Sequence, residues 1–141
     1  YSSITLKALA DRLAEATAEW MHHRVRTDLW GYAVDEGLSN DELIAEKYLG
    51  IRPAPGYPAC PDHRVKKPLF DLLGVDEIGM AITDHYAMIP PASVSGFYFS
   101  HPDSTYFSVG KIGEDQASDM AERSGVPLEA VQRALAPNLG L

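Results

Sequence analysis

Apolar side chains recur every three or four positions over residues 5–33, the spacing that places them on one face of an α-helix. Charged and polar residues occupy the other faces of the same segment. We therefore predict one long amphipathic helix whose apolar stripe is buried. The stripe consists of Leu6, Leu9, Leu13, Ala16, Trp20, Val25, Leu29 and Tyr32.

A second helix is predicted from a capping signal. Ser39 and Glu42 have the spacing of a capping box, in which the Ser side chain accepts from the backbone of the third helical residue and the Glu side chain reaches back. We expect this helix to run to about residue 49 and to end at Gly50, because glycine suits a C-terminal cap.

Glycine and proline also delimit the remaining helices. Residues 66–73 predict a short helix that stops at Gly74. Residues 114–123 predict another, which is broken at Gly125. Pro127 then begins a last helix, since proline is favoured in the first helical turn.

Three stretches have the composition of strands: residues 80–83, 93–99 and 106–110. The turn-forming residues 101–104 separate the last two, so we expect them to form an antiparallel hairpin. The fold class is therefore α+β, with a long N-terminal helix and further helices packed on a small antiparallel sheet.

Residues 51–61 contain four prolines, one arginine and one tyrosine, and no acidic residue. Proline fixes φ and lacks an N–H donor, so this segment can form neither a helix nor a central strand. We predict a stiff, extended proline ribbon, the name used below for residues 51–61. Such a ribbon is either a surface loop or, by holding Arg52 and Tyr57 in fixed places, one wall of a small-molecule site.

Chain length, net charge and cysteine content narrow the range of possible functions and partners. The 141 residues fit one domain, and the net charge of −8 disfavours nucleic acid as a partner. The single cysteine, Cys60, excludes an internal disulfide and fits a reducing cytoplasm. Apolar runs fall short of the roughly 18 residues that span a membrane.

The last two helices, residues 114–135, have the outline of a helix-turn-helix. Arg123 and Arg133 are the only basic residues of this unit, which also holds five acidic ones. A DNA reader needs several phosphate contacts, so we favour two packed helices that close a core.

Four segments together resemble one known family, the C-terminal activation domain of cobalamin-dependent methionine synthase. They lie in the family's order over essentially the whole chain and comprise residues 10–16, 52–61, 93–104 and 135–140. The pattern Arg-x-x-x-Gly-Tyr-Pro, which begins at Arg52, resembles the family's S-adenosylmethionine signature. That domain is longer than this chain, so residues 1–141 are expected to be its C-terminal part, and an acidic ligand contact of the N-terminal part is expected to lie outside the chain.

The resemblance implies a role for each matching residue. Arg52 is expected to bind the carboxylate of the methionyl group, because a guanidinium can donate two parallel hydrogen bonds to it. Ala54 and Gly56 are expected to meet the adenine or ribose through main-chain groups, and Tyr57 to flank the ligand. Glu15, by itself a typical solvated carboxylate, is expected to attract the ligand's ammonium or sulfonium group.

Tyr106 and Phe107 match two further contact positions of the family, which often has two aromatic residues there. Phe107 has no hydroxyl, so the hydrogen bond that a second tyrosine offers is lost at this position.

The resemblance also implies the reaction. The domain binds S-adenosylmethionine and docks over the cobalamin-binding domain of the same protein. Inactive cob(II)alamin then receives an electron from flavodoxin or a related flavoprotein, and the methyl group passes from the sulfonium to cobalt. We expect no general acid or base here, and the fragment alone to be inactive. The alternative is a docking module that contacts the cobalamin domain and flavodoxin without holding ligand.

Overall fold

The structure is a computed structural model that describes residues 1–140. Within residues 1–140, five α-helices and one two-stranded antiparallel sheet confirm the α+β class. The helices are α1 (Ser2–Arg24), α2 (Asn40–Ile44), α3 (Lys66–Leu73), α4 (Glu114–Ser124) and α5 (Leu128–Ala134). The strands β1 (Ala81–Ile82) and β2 (Met88–Ile89) pair with Ala81 opposite Ile89 and Ile82 opposite Met88. No helix within residues 1–140 is long and apolar enough to cross a membrane.

The long N-terminal helix forms, but its apolar stripe is exposed, so the prediction of a buried face was wrong. α1 ends at Arg24 and continues as one π-helical segment, Val25–Leu29. Of residues 1–17 only Ala10 and Ala14 are not exposed, whereas His22, Val25 and Arg26 at the far end are buried. Periodicity shows which face is apolar, and it does not show what covers that face. More than half of the side-chain surface is exposed at Leu6, Leu9, Leu13, Trp20 and Leu29.

The capping box before α2 forms as predicted. The Ser39 hydroxyl accepts from the Glu42 N–H, and the Glu42 carboxylate accepts from the Ser39 N–H at 2.9 Å. This helix ends at Ile44 instead of residue 49, because Glu46 takes a positive φ of 56°. Gly50 therefore caps no helix, and its own positive φ turns the chain into the proline ribbon.

The predicted stops at Gly74 and Gly125 are confirmed, and the predicted start of the last helix is early by one residue. α3 occupies the predicted residues and stops at Gly74, which is left-handed. α4 stops at Gly125, also left-handed, and Pro127 lies at the N-cap of α5, one position before the first helical residue.

The predicted hairpin of residues 93–99 and 106–110 was wrong. The intervening turn does form, since the Ser104 N–H donates to the His101 carbonyl at 3.0 Å. Both flanking segments, however, hydrogen-bond to the proline ribbon instead of to each other. The segment that pairs with β1 is residues 88–89, which no sequence pattern indicated.

Three residues of the ribbon carry this pairing. Ile51 and Phe99 exchange both backbone hydrogen bonds, at 3.0 and 2.9 Å, and the Phe97 N–H donates to the Pro53 carbonyl at 3.0 Å. Farther along, the Val109 N–H donates to the Pro58 carbonyl at 2.9 Å. The proline ribbon forms no helix or regular strand, so its carbonyl groups accept hydrogen bonds from neighbouring segments instead.

The last two helices pack around a small apolar core, as the sequence favoured. Its buried members are Ile112, Ala117, Ala121, Val131 and Leu135. A second buried region joins the C-terminal end of α1 to the ribbon through His22, Arg26 and Tyr48, and it positions the site described below.

The close approach at Gly50 gives a direct test of the ribbon pairing. A Cβ at Gly50 would lie 1.9 Å from the Phe99 carbonyl oxygen at a φ of +79°, whereas Gly79 has a φ of +76° and nothing within 4 Å. We expect Gly79→Ala to cost about 1 kcal/mol from backbone strain alone. Gly50→Ala should cost roughly 3 kcal/mol or more, because overpacking adds to that strain. Urea unfolding of both variants measures the difference, and equal losses would show that the contact with Phe99 contributes nothing.

Candidate functional site

Arg52 lies where the proline ribbon meets α1. Ile51, Pro53 and Pro55 are buried, while Arg52 and Ala54 between them are half-buried, as the alternation of an extended chain requires. The Arg52 side chain is 28% exposed, so part of it stays open to solvent.

Two side chains of α1 hold that guanidinium. Arg52 Nη2 donates to Glu19 Oε2 at 2.5 Å, and Arg52 Nη1 donates to His22 Nδ1 at 3.0 Å. Burial is the largest single influence on the pKa of Arg52 and lowers it, but the hydrogen bond to Glu19 and the electrostatic effects of Tyr48, Glu19 and Tyr106 together raise that pKa above its ordinary value. The guanidinium therefore keeps its full charge at all physiological pH values.

His22 is buried and neutral. Its ring stacks on Tyr98, with centroids 5.0 Å apart, and meets the edge of Tyr48 at 4.7 Å. Burial, with the nearby charges of Arg26 and Arg52, lowers the pKa of His22 to about 3. Because Nδ1 accepts from Arg52, the proton is assigned to Nε2, which lies 3.4 Å from the Tyr32 hydroxyl.

Tyr106 fixes the backbone of Arg52. Its hydroxyl accepts from the Arg52 N–H at 3.0 Å and lies 2.7 Å from the Tyr48 hydroxyl. Burial, and then the hydrogen bond with Tyr106, raise the pKa of Tyr48, so the Tyr48 phenol stays protonated at neutral pH. Arg52 is thus held at its main chain by Tyr106 and at its side chain by α1.

The next part of the ribbon turns sharply at Gly56. Its φ is +95°, and a Cβ there would lie 2.1 Å from the His63 ring, so only glycine fits. The Gly56 N–H donates to the Cys60 carbonyl at 2.7 Å, and the Tyr57 N–H donates to the Ala54 carbonyl at 3.2 Å. The Tyr57 side chain is left 67% exposed.

An open cavity of about 310 Å³ lies beside this turn. Gly56 and Tyr57 line one side of it, with His63, and Ser108 and Asn138 belong to the other segments that enclose it. Its volume is at the lower end of the range for small-molecule sites. Within residues 1–140, no three His, Cys, Asp or Glu side chains are grouped so that they could hold a metal ion.

Two of the residues expected at the site lie apart from the Arg52 cluster. The Glu15 carboxylate accepts from Arg12 at 3.1 Å, and its side chain is 64% exposed. It lies one helical turn before Glu19, so both carboxylates share a face of α1. Phe107 follows Tyr106 and is more than half exposed. The structure therefore brings Arg52 and Tyr106 together and leaves Glu15 and Phe107 exposed at the surface.

Sequence patterns did not indicate Glu19 or His22 as parts of this site. Both looked like members of the solvated faces of a long helix. Their spacing of three residues places them side by side on that helix. Their common partner Arg52 lies 33 and 30 positions away along the chain, which no local pattern encodes.

Known proteins resemble this chain in both sequence and structure. The family model described as vitamin B12 dependent methionine synthase, activation domain, matches residues 1–125. A crystal structure of the MetH reactivation domain bound to AdoHcy is 58% identical in sequence, with a TM-score of 0.96. The match covers 100% of this chain and 44% of that one, so this chain spans less than half of the relative's length.

The depressed pKa of His22 predicts an acid-sensitive fold. The unfolded chain takes up the imidazole proton near the ordinary pKa of 6.5, before the folded one does. The contribution of neutral His22 is therefore complete above about pH 6.5 and is lost as the pH falls from there towards 3. Between pH 6.5 and pH 5 we expect the unmodified chain to lose roughly 1.5 kcal/mol more stability than His22→Gln.

Urea unfolding at the two pH values measures this difference. The other four histidines are present in both proteins, so the comparison isolates His22. Equal losses in the two proteins would mean that His22 takes up its proton as easily in the folded state as in the unfolded one.

Proposed function

The chain belongs to the family of activation domains of vitamin B12-dependent methionine synthases, and from that premise we propose that it binds S-adenosylmethionine to reactivate the enzyme. We propose further that residues 1–141 are the C-terminal part of such a domain and act in the cytoplasm. The observation that carries the proposal is the charged, half-buried Arg52 guanidinium at the junction of ribbon and α1.

Arg52 is suited to the amino-acid end of the ligand. S-adenosylmethionine ends in a carboxylate, and guanidinium is the side chain that binds a carboxylate with two parallel hydrogen bonds. Both Nη atoms carry a second N–H beyond those that Glu19 and His22 accept. The Arg52 N–H donates to the Tyr106 hydroxyl, and this hydrogen bond fixes the backbone position from which the Arg52 side chain extends.

The ribbon beyond Arg52 is suited to the adenosine end. Among residues 1–140, neither the Ala54 N–H nor the Gly56 carbonyl makes a hydrogen bond within the protein, so both are free for a nucleoside. The exposed rings of Tyr57 and Phe107 offer flat apolar faces for an adenine. Tyr106, whose hydroxyl holds the Arg52 backbone, is 40% exposed.

Glu15 is placed to attract the cationic end. Its carboxylate is exposed, one helical turn from the Glu19–Arg52 pair, and its one partner among the described side chains is Arg12, which is still more exposed. Exchanging that surface pair for a ligand cation costs little, because exposed ion pairs contribute at most about 1 kcal/mol.

The residues of this chain bind and orient, and the bound groups supply the chemistry. S-adenosylmethionine carries the methyl group, and cobalamin on another domain accepts it with an electron from flavodoxin or a related flavoprotein. The chain's part is to place the sulfonium by holding the carboxylate at Arg52 and the nucleoside at residues 54–57. Orientation of this kind can contribute several kcal/mol to a group transfer.

The exposed stripe of α1 supports a partner beyond this chain. Leu6, Leu9 and Leu13 expose apolar surface along one helix face, and monomeric proteins seldom leave such a face open. We propose that further residues of the same activation domain cover it, since the related domain is more than twice as long as the match. The same stripe also keeps a second function open, a docking module that contacts the cobalamin domain or flavodoxin without ligand.

Titration calorimetry with S-adenosylmethionine tests the proposal. Arg52→Ala should weaken binding by at least about 1.5 kcal/mol, the contribution of a hydrogen bond to a charged group. Arg123→Ala is the matched control, because it removes an exposed arginine that pairs with Asp119 on α4, and it should leave the affinity unchanged.

Equal affinities of the Arg52→Ala variant and the unmodified chain would contradict the role of Arg52. If the unmodified chain binds no ligand and its melting temperature does not rise with S-adenosylmethionine, the docking function is favoured, because a ligand that binds the folded state must raise that temperature.

A further inference from the structure

We propose that Glu19 is a positioning residue for Arg52: with His22 it sets the direction of the guanidinium so that the remaining N–H groups face the ligand carboxylate. This inference rests on the proposed function, since it concerns how the same site recognises an amino-acid end. It adds two residues to that site, neither of which contacts the ligand.

The Glu19 carboxylate is committed to Arg52. Its Oε2 accepts from Arg52 Nη2, and its Oε1 is buried without a hydrogen-bond partner among residues 1–140. A buried carboxylate oxygen without a partner is costly, so the pair persists only because the contact with Arg52 offsets that cost. Glu19 thus has one described partner, and that partner is the proposed ligand-binding group.

His22 restrains the same guanidinium from a second direction. Its ring is fully buried between Tyr48 and Tyr98, which leaves it no freedom to rotate. Its neutral Nδ1 can accept from Arg52 Nη1, which a protonated ring could not do. Two acceptors on a rigid helix therefore define the plane of the guanidinium.

This restraint matters because arginine is long and flexible. A free arginine loses much side-chain entropy when it binds a carboxylate, and that loss weakens binding. Here the main-chain N–H is bonded to Tyr106 and both Nη atoms have acceptors before any ligand arrives. The ligand then meets a guanidinium that is already oriented, with its Nε–H and the second hydrogens of both Nη atoms unused by these contacts.

The orientation effect can be separated from the charge effect. Removing Glu19 takes away a negative charge next to Arg52, which on its own would tighten the binding of an anion. The ligand also carries an ammonium group, so a weaker affinity after the removal of Glu19 reports lost orientation only where the loss depends on Arg52. Glu19 is also a suitable position to change, because its side chain is 34% exposed on a helix and alanine is a good helix former.

The experiment compares two ligands on the same variants by calorimetry. S-adenosylhomocysteine carries the amino-acid carboxylate, and 5′-methylthioadenosine lacks it. We expect Glu19→Ala to weaken binding of S-adenosylhomocysteine about fivefold to tenfold and to leave the binding of 5′-methylthioadenosine unchanged. Glu19→Gln, which keeps an acceptor oxygen, should recover part of the loss. Asp119→Ala, which breaks an exposed arginine pair on α4, is the control and should change neither affinity.

A variant cycle gives a second readout. In an Arg52→Ala background, Glu19→Ala should have no further effect on S-adenosylhomocysteine, because the group that it positions is gone. Equal losses for both ligands, an unchanged or tighter affinity, or additive effects in the cycle would each overturn the positioning role while leaving the proposed function standing. If the unmodified chain binds neither ligand, both proposals fail.

Discussion

The backbone pairing of the proline ribbon with residues 97–99 is the constraint on which the site depends. Ile51 and Phe99 exchange two hydrogen bonds, and the Pro53 carbonyl accepts from Phe97. This pairing holds Arg52 against the end of α1, with alternate residues of the ribbon facing the interior. Gly50 permits the approach, since a side chain there would meet the Phe99 carbonyl. The proline ribbon, which cannot form a helix, therefore fixes the position of Arg52 through its backbone hydrogen bonds.

Two arginine–glutamate ion pairs lie at the C-terminal end of the long helix, and one of them involves the proline ribbon. Arg52 pairs with Glu19, and the fully buried Arg26 pairs with Glu36 through two bonds of 2.6 Å. Both guanidiniums lie near the Tyr48 ring, at 5.5 and 4.5 Å from its centroid. Buried ion pairs contribute little net stability against apolar replacements, but breaking one is expensive. Their effect here is to specify one arrangement of α1 and the ribbon.

Family membership and site geometry answer different questions. The family places the chain in the activation domain of a vitamin B12-dependent methionine synthase. The geometry adds that the proposed carboxylate-binding group, Arg52, is restrained by residues outside the recognisable motif. The exposed stripe on α1 fits a chain that corresponds to less than half of its relative. The proposed cover by further residues of the same domain would bury this face.

What the sequence by itself determined is local. The capping box at Ser39, the glycine stops after α3 and α4 and the start of α5 were all readable, because caps and turns depend on a few neighbouring residues. The order of motifs along the chain also identified the family. The tertiary structure alone decided that the two supposed hairpin strands bond to the ribbon, that the stripe of α1 stays exposed, and that Glu19 and His22 meet Arg52. Each of these features depends on which distant segment supplies the hydrogen-bond partners or covers the apolar surface. Neither periodicity nor composition specifies that segment.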